Sequence, residues 1–543
     1  MGANRAIAIT VFLLAIAGCS WAQQNRYMVF FSDKEGTPYS LTEPSAFLSP
    51  DAIERRIRHG VPVSEQDLPV NPAYVSAVSG TGAEVFFKTR WMNGVLIQTE
   101  PENVNAIESL SFVDRVELVA PDVRLSAAGR RKAPGSRKSA RTAEVTDIQL
   151  RMLGINEMHE MGYRGEGIVI ALFDSGYQGV DATDPFQHLF TDGRIDLVSS
   201  KDFVYNSDDV FQHDDHGSEV LSVIAAWQPG VFTGGAYKAT FQLYVTEEIP
   251  TEYRIEEYNW LFAAERADSA GVHIIHSSLG YSDFDLPQMD YQKSEMNGAV
   301  AVVTRAAQWA ADRGIIVIVS AGNEGNNSWR IITAPADAVD VLAVASVDAN
   351  GARAGSSSTG PAADLRIKPD VAAMGVATSV IERNGSVGKS SGTSLAAPLI
   401  TSLAAGVLQM NPDLTNVGLL DVIRKSSSQA GAPDQFLGYG IPHFRAVVNY
   451  ISAETQSEEF TVFPNPFSEG EFQLVIKPKD PSAVTDCEIE LINAEGRRIY
   501  HFTPRFSWFE NTFSPQFEGL GSGIYFLRIL SGGKRFVFKV VRQ

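Results

Sequence analysis

The sequence predicts an α/β protein: a doubly wound, mainly parallel sheet flanked by an N-terminal α+β unit and a C-terminal antiparallel β-sandwich. Three observations carry that prediction. Between about Val145 and Tyr450, short continuous apolar runs alternate with amphipathic segments, the pattern of repeated βαβ units. Runs such as Ile168-Val169-Ile170-Ala171-Leu172-Phe173 show no polar alternation, as expected of strands buried on both faces. From about Glu454 the helical patterns stop and a period of two takes over, in Phe472, Leu474, Ile476 and again in Phe536, Phe538, Val540.

Composition sets the bounds. A chain of 543 residues should hold more than one domain, and at 44% hydrophobic and 20% charged it reads as globular. A formal charge of −19 argues against nucleic acid as a partner, because phosphate binding needs a basic surface. The two cysteines, Cys19 and Cys487, leave the central region with neither a thiol nucleophile nor a disulfide framework.

In chain order, residues 1–22 read as an export signal. Arg5 precedes the apolar run Ala6 to Ala17, too short to span a bilayer comfortably, and Ser20 and Ala22 supply small residues at a cleavage spacing that leaves Gln23 first. Ile16-Ala17-Gly18-Cys19 also resembles a bacterial lipobox, which would make Cys19 a lipid anchor; simple cleavage is the preferred reading. Residues 23–128 form the small α+β unit. Tyr27-Met28-Val29-Phe30-Phe31 is a strand, Ser49-Pro50-Asp51 opens a helix that stops near Gly60, and Val85 to Phe87 with Gly94 to Ile97 bracket a hairpin. Val104 to Leu110 suggests a second helix and Val113 to Val119 a last strand.

Residues 129–145 are basic, lack large apolar side chains and contain Gly and Pro, as in an exposed linker that is easily cut. The main body, 146–452, carries further buried strands at Ile315 to Val319 and Val341 to Ala345. Its helices are expected at Glu219 to Trp227, Tyr258 to Ala270, Ala301 to Arg313 and Ser394 to Gln409. In the tail, 453–543, Asn493-Ala494-Glu495-Gly496 and Ser531-Gly532-Gly533-Lys534 are hairpin turns of a small sandwich.

Candidate chemistry gathers where apolar strands run into polar residues, since open α/β sheets place functional groups beyond the carboxyl ends of their strands. One strand runs straight into Asp174-Ser175-Gly176, and another ends Ser320-Ala321-Gly322-Asn323. His216 opens a helical pattern in Asp215-His216-Gly217-Ser218-Glu219. Ser394 follows Gly392-Thr393 at the start of the run Leu395, Leu399, Leu403, where a helix N-terminus can hold a developing anion. Taken alone, Gly-Thr-Ser is an ordinary helix cap. His213 and His216 could suggest a metal pair, but no H-E-x-x-H pattern or further ligands accompany them. The order acid, histidine, serine differs from the α/β-hydrolase and chymotrypsin orders and is that of the subtilisins.

The motifs around these residues resemble the subtilisin-like serine peptidases, peptidase family S8. Ile170 to Gly176 resembles that family's aspartate motif, His216 to Val220 its histidine motif, Gly392 to Pro398 its serine motif. Ser320 to Asn323 resembles its oxyanion segment and His276-Ser277-Ser278-Leu279-Gly280 its substrate-binding strand. Each is weakly specific; five in family order are highly specific. Departures are Ser218 and Glu219 for the usual Thr and His, Leu395 for Met, and His276 for Asn, which would alter the floor of the cleft.

The resemblance implies a secreted serine endopeptidase with Asp174, His216, Ser394 and Asn323 as catalytic residues. Ser278, Leu279, Gly280, Ser320, Ala321 and Gly322 would bind protein or peptide substrate, and Ile332 to Ala336 would lie near a specificity pocket of broad or apolar preference. The α+β unit resembles the family's propeptides, which act as intramolecular inhibitors. The tail, through Val462-Phe463-Pro464-Asn465-Pro466, Glu495-Gly496-Arg497, Gly523-Ile524-Tyr525 and Gly533-Lys534, resembles the sorting domain of Bacteroidetes type IX secretion substrates. Secretion or cell-surface display follows from it. No cofactor is required for such catalysis; a structural Ca2+ near Asp290, Glu295 and Asn297 is an expectation from the same family. The competing reading is a catalytically silent surface binding protein or adhesin on the same fold.

Overall fold

The structure is a computed structural model that describes residues 24–121, 145–454, 460–468, 473–481, 484, 487–494, 496–506, 512–517, 519–532 and 534–542. The export signal with its lipobox, and the basic linker apart from Val145, lie outside the described residues. The chain divides into two compact units, one reaching to Leu420 and taking in Gly431–Ile441, the other made of Asp421–Ala430 and Pro442 onwards.

The first unit begins with a four-stranded antiparallel sheet, in spatial order Glu84–Thr89, Gly94–Thr99, Asn25–Phe31, Val113–Ala120. The helix Pro50–His59 forms for the reason its sequence predicts: Ser49 Oγ accepts from the Ala52 N–H at 3.1 Å, Pro50 occupies the first turn, and Gly60 closes it at φ 68°. A second helix, Pro72–Gly80, is capped by Asn71, and the one expected from Val104 to Leu110 runs only over Val104–Glu108. The first strand is apolar on both faces because both faces are covered. Tyr27, Val29 and Phe31 enter the sheet's own core, while Met28 and Phe30 pack into the core of the main body with Tyr258 and Trp260.

The main body is a seven-stranded parallel sheet ordered Val371–Met374, Val341–Val347, Ile316–Ser320, Ile274–Ser277, Val169–Asp174, Thr240–Val245, Lys201–Asp202. From the Asp174 strand the chain goes to the edge strand Lys201–Asp202 and comes back to Thr240–Val245 between the two, then crosses to Ile274–Ser277 and runs outward in the other direction. The topological switch point therefore lies between the Asp174 and Ile274 strands, where open sheets place their sites. Register puts Phe173, Ser277 and Val319 level, so the residues that follow them, Asp174, Ser278 and Ser320, end together at one edge. Helices Ile255–Ala270 and Val302–Asp312 share a core with one face of the sheet, and Thr393–Met410 crosses the other.

The His216 helix spans His216–Ala225 and stops two residues short of the expected Trp227, which instead pairs as a strand with Thr233. In the second unit, the sheet Arg498–Phe502, Cys487–Ile492, Gly523–Ser531, Lys534–Arg542 shares a core with the pair Phe460–Phe463 and Val475–Pro478. Both expected turns join antiparallel neighbours, with Gly496 and Gly532 at positive φ. Phe472 lies outside the described residues.

Candidate active site

Asp174 is the last residue of its strand and is 1% exposed. Its Oδ1 accepts from Ser175 N at 2.8 Å and Ser175 Oγ at 3.1 Å, and lies 2.8 Å from His216 Nδ1. The carboxylate is thus fixed before the imidazole is considered, and among the described residues its buried Oδ2 has no hydrogen-bond partner. His216 is the first residue of its helix, so its ring projects from the helix start over the sheet edge. Gly217 makes this approach possible: a Cβ there would lie 2.9 Å from Asp174 Cβ. Burial alone would lower the His216 pKa. The charge and hydrogen bond of Asp174, with Asp214 and Glu219 beyond, outweigh it and push the value up to about 9.

Ser394 does not cap its helix. The helix begins at Thr393, Gly392 is the capping position, and no side chain of that segment closes the first turn. The cap comes from across the site: Asn323 Oδ1 accepts from Thr393 N at 2.9 Å and from Thr393 Oγ1 at 3.1 Å. With its oxygen held by two donors, the Asn323 amide turns its NH2 away from the helix, and the residue is exposed. Gly392 sits between the two groups. A Cβ on it would come 2.8 Å from Ser394 Oγ and 3.6–3.7 Å from the Asn323 amide atoms, filling the space that both face. Ser394 is 7% exposed. Among the described residues no hydrogen bond joins Ser394 Oγ to His216; such contacts tighten when substrate is bound.

His276 lies below the site and does not form the floor of the cleft, because the side chain is fully buried. Ser278 Oγ donates to the Ser394 carbonyl at 2.9 Å, so it must accept from His276, whose Nε2 lies 2.9 Å away. Nδ1 is left to accept from Thr401 Oγ1 at 2.8 Å, two turns along the Ser394 helix. This network assigns the Nε2–H tautomer. Burial, with the nearby His216 as a lesser cause, pushes the His276 pKa down to about 3, so the ring stays neutral. A neutral histidine therefore bolts the Ser278 segment to the peptide of Ser394.

Leu279 and Gly280 continue beyond their strand, and among the described residues no backbone carbonyl accepts from their N–H groups. Ser320 Oγ donates to Leu279 O at 3.2 Å, and Tyr281 pairs with Ala334, so this segment runs beside Ile332 to Ala336. Ala321 N donates to Val344 O, and Gly322, at φ 100°, has no room for a Cβ between Thr333 and Ser358. His213 belongs elsewhere: its Nε2 pairs with Asp202 Oδ2 at 3.1 Å and its ring stacks on Tyr205. Asp290, Glu295 and Asn297 lie in the segment that follows Tyr281. Each accepts from a nearby backbone N–H, of Phe284, Gln292 and Ala299 respectively.

Comparison with known proteins fits this geometry. The chain belongs to the subtilase family, whose model (Peptidase S8) matches residues 165–440. Residues 26–137 match the peptidase S8 propeptide domain of Bacteroidota, and 461–543 the secretion system C-terminal sorting domain, which marks a secreted or cell-surface protein. Subtilisin E of Bacillus subtilis is 28% identical over 276 residues, 50% of this chain and 64% of that one. The thermostable alkaline protease of Halalkalibacterium halodurans is 25% identical over 362 residues, 64% of this chain and 90% of that one. The match thus covers a little less than two thirds of the length of subtilisin E. The epidermin leader peptide processing serine protease of Staphylococcus aureus shares the fold, with a TM-score of 0.54 at 15% identity, over 78% of this chain and 99% of that one.

Proposed function

We propose that the chain is a secreted serine endopeptidase, made as a pro-enzyme, that hydrolyses peptide bonds through Asp174, His216 and Ser394. The observation that carries this reading is the convergence at one sheet edge: a 2.8 Å Asp174–His216 contact, with Ser394 Oγ and the Asn323 amide flanking the gap over Gly392. The peptide substrate lies as an added strand along Ser278 to Gly280, with Ser320 to Gly322 on its other side. His216 Nε2 takes the Ser394 proton as Oγ attacks the scissile carbonyl carbon. Asp174 holds the ring through Nδ1 and stabilises its cationic form, the same interaction that raises the His216 pKa. The Asn323 NH2 and the Ser394 backbone N–H receive the oxyanion.

Collapse of the tetrahedral intermediate breaks the C–N bond, and His216 gives its proton to the leaving amine. Water, deprotonated by the same histidine, then hydrolyses the acyl-enzyme. The N-terminal unit acts as an intramolecular inhibitor until cleavage in or near 129–145, and the tail is read by type IX secretion machinery. Ile332 to Ala336 contributes to an apolar or broad side-chain preference. Fluorophosphonate labelling of the processed protein tests the proposal. Wild type should react and Ser394→Ala should not; equal reactivity of the two would refute the assignment.

A further inference from the structure

Three carboxylates that the chemistry above leaves unused meet beside the substrate segment. Glu247 follows the strand Thr240–Val245, Glu252 lies in the next loop, and Glu256 is in the first turn of the helix Ile255–Ala270. One oxygen from each lies within 4.8 Å of the others. Glu256 is 1% exposed; one of its oxygens accepts from Glu248 N at 2.8 Å, and Oε2 is buried with no hydrogen-bond partner among the described residues. Glu247 Oε1 accepts from Tyr281 Oη at 2.6 Å and from Thr246 Oγ1 at 2.8 Å. One turn on from Glu256, Asn259 Oδ1 is a second buried acceptor without a donor, while its Nδ2 donates to Thr246 O. The neighbourhood is rich in acceptors and short of donors.

No compensating cation is at hand. Among the described residues none of the three carboxylates forms an ion pair, and Arg254, the nearest in sequence, donates to Met289 O at 2.7–3.0 Å. Asp285 adds a further carboxylate by accepting from Glu252 N. A buried cluster of this kind is costly unless a cation neutralises it.

We propose that Glu247, Glu252 and Glu256 form a binding site for Ca2+ that pins the 246–256 loop to Tyr281 beside the substrate segment. An all-oxygen, carboxylate set selects a hard divalent ion. Ca2+ accepts carboxylates in flexible geometry, whereas Mg2+ demands a near-ideal octahedron, so ligands drawn from a loop and a helix start suit Ca2+. Because Tyr281 exchanges backbone hydrogen bonds with Ala334, the ion would fix the spacing of the two segments that border the substrate backbone.

The test uses the full chain carrying Ser394→Ala, stripped of metal, and two readouts. Thermal unfolding should shift up by roughly 2–5 °C with saturating CaCl2 and by less with MgCl2. Tb3+ should give emission sensitised by Tyr281 that Ca2+ displaces. In Glu252→Gln and Glu256→Gln, both responses should vanish while stability in chelator is equal or higher, since repulsion has been removed. Asp290→Asn should keep both. Two results would overturn the proposal. One is no Ca2+ response in the parent chain, with the Gln variants more stable in chelator, which marks a cluster that only shares protons. The other is Ca2+ and Tb3+ responses that survive in the Gln variants, which places the ion elsewhere.

Discussion

Asn323 shows how much a single side chain is asked to do. Its oxygen closes the first turn of the Ser394 helix, and that same bond aims its NH2 at the gap over Gly392. Asn323→Ala should therefore lower kcat by about 10²–10³ with little change in KM, measured on a soluble peptide substrate. His276 acts at one remove, through Ser278 and the Ser394 carbonyl. His276→Ala leaves the Ser278 hydroxyl without its donor and opens a cavity below the site. It should lower both kcat and thermal stability, and His276→Asn should recover part of each; a loss in stability alone would limit His276 to a structural role. Asp174, His216 and Ser394 were legible as candidates because a carboxylate after six apolar residues is a poor choice for packing and because acid, histidine and serine fall in the subtilisin order, although Gly-Thr-Ser alone reads as an ordinary helix cap. The capping role of Asn323 was not legible, since it depends on a loop 70 residues from the helix it closes. His276 was read as cleft lining; only the register of its strand shows that it faces the helix beneath.

At the scale of elements, local chemistry predicted best where it was self-contained. Ser49-Pro50 and Gly60 bracket a helix through their own caps, and the strand from Val169 was plain because both faces of the sheet are covered. Pro72–Gly80 went unread because its nine residues offer little more than two turns of pattern, although Asn71-Pro72 is a sound start signal and Tyr74, Val75 and Val78 share helical spacing. The His216 helix was drawn two residues too long because Trp227 fits its apolar pattern, while pairing with Thr233 takes it into a strand. The close approach of the helix start to Asp174 depends on Gly217, whose substitution by Ala would force apart the Gly176 carbonyl and the Asp174 side chain. Gly217→Ala should lower kcat sharply with little change in KM, an outcome that steady-state kinetics on the processed enzyme would check.

At the scale of the molecule, buried charges join the N-terminal unit to the main body. Asp268 receives Arg55 at 2.5 Å, Arg56 at 2.8 Å and Arg90 at 2.6 Å, and Glu265 accepts from Thr89 Oγ1 and from Arg90 N and Trp91 N. Removing one partner of a buried network costs about 3–5 kcal/mol, so Asp268→Ala should weaken binding of the separated N-terminal unit by about 10²-fold or more, read by inhibition of the processed enzyme. Burial would raise the Asp67 pKa, but Arg313 and Arg56 overrule it and bring it down to about 2. A depressed carboxylate contributes fully above its unfolded value of about 4 and loses that contribution as pH falls toward 2. The unprocessed chain should therefore lose stability in that window, and Asp67→Asn should flatten the loss. The three-part plan was legible from shifts in sequence pattern. The glutamate cluster was not, because Glu247, Glu252 and Glu256 follow no recognisable ligand spacing and meet only when the helix start turns Glu256 inward.

The central claim is that Asp174 and His216 activate Ser394, and the pH dependence of fluorophosphonate reaction at Ser394 tests it most directly. Reaction needs neutral His216, whose pKa is raised toward 9, so the rate should be low in acid and climb through a midpoint above the ordinary imidazole value of 6.5. Asp174→Asn removes the charge that raises this pKa; it should move the midpoint down and cut the limiting rate by about 10⁴. A rate that is flat with pH, or a midpoint unmoved by Asp174→Asn, would contradict the account.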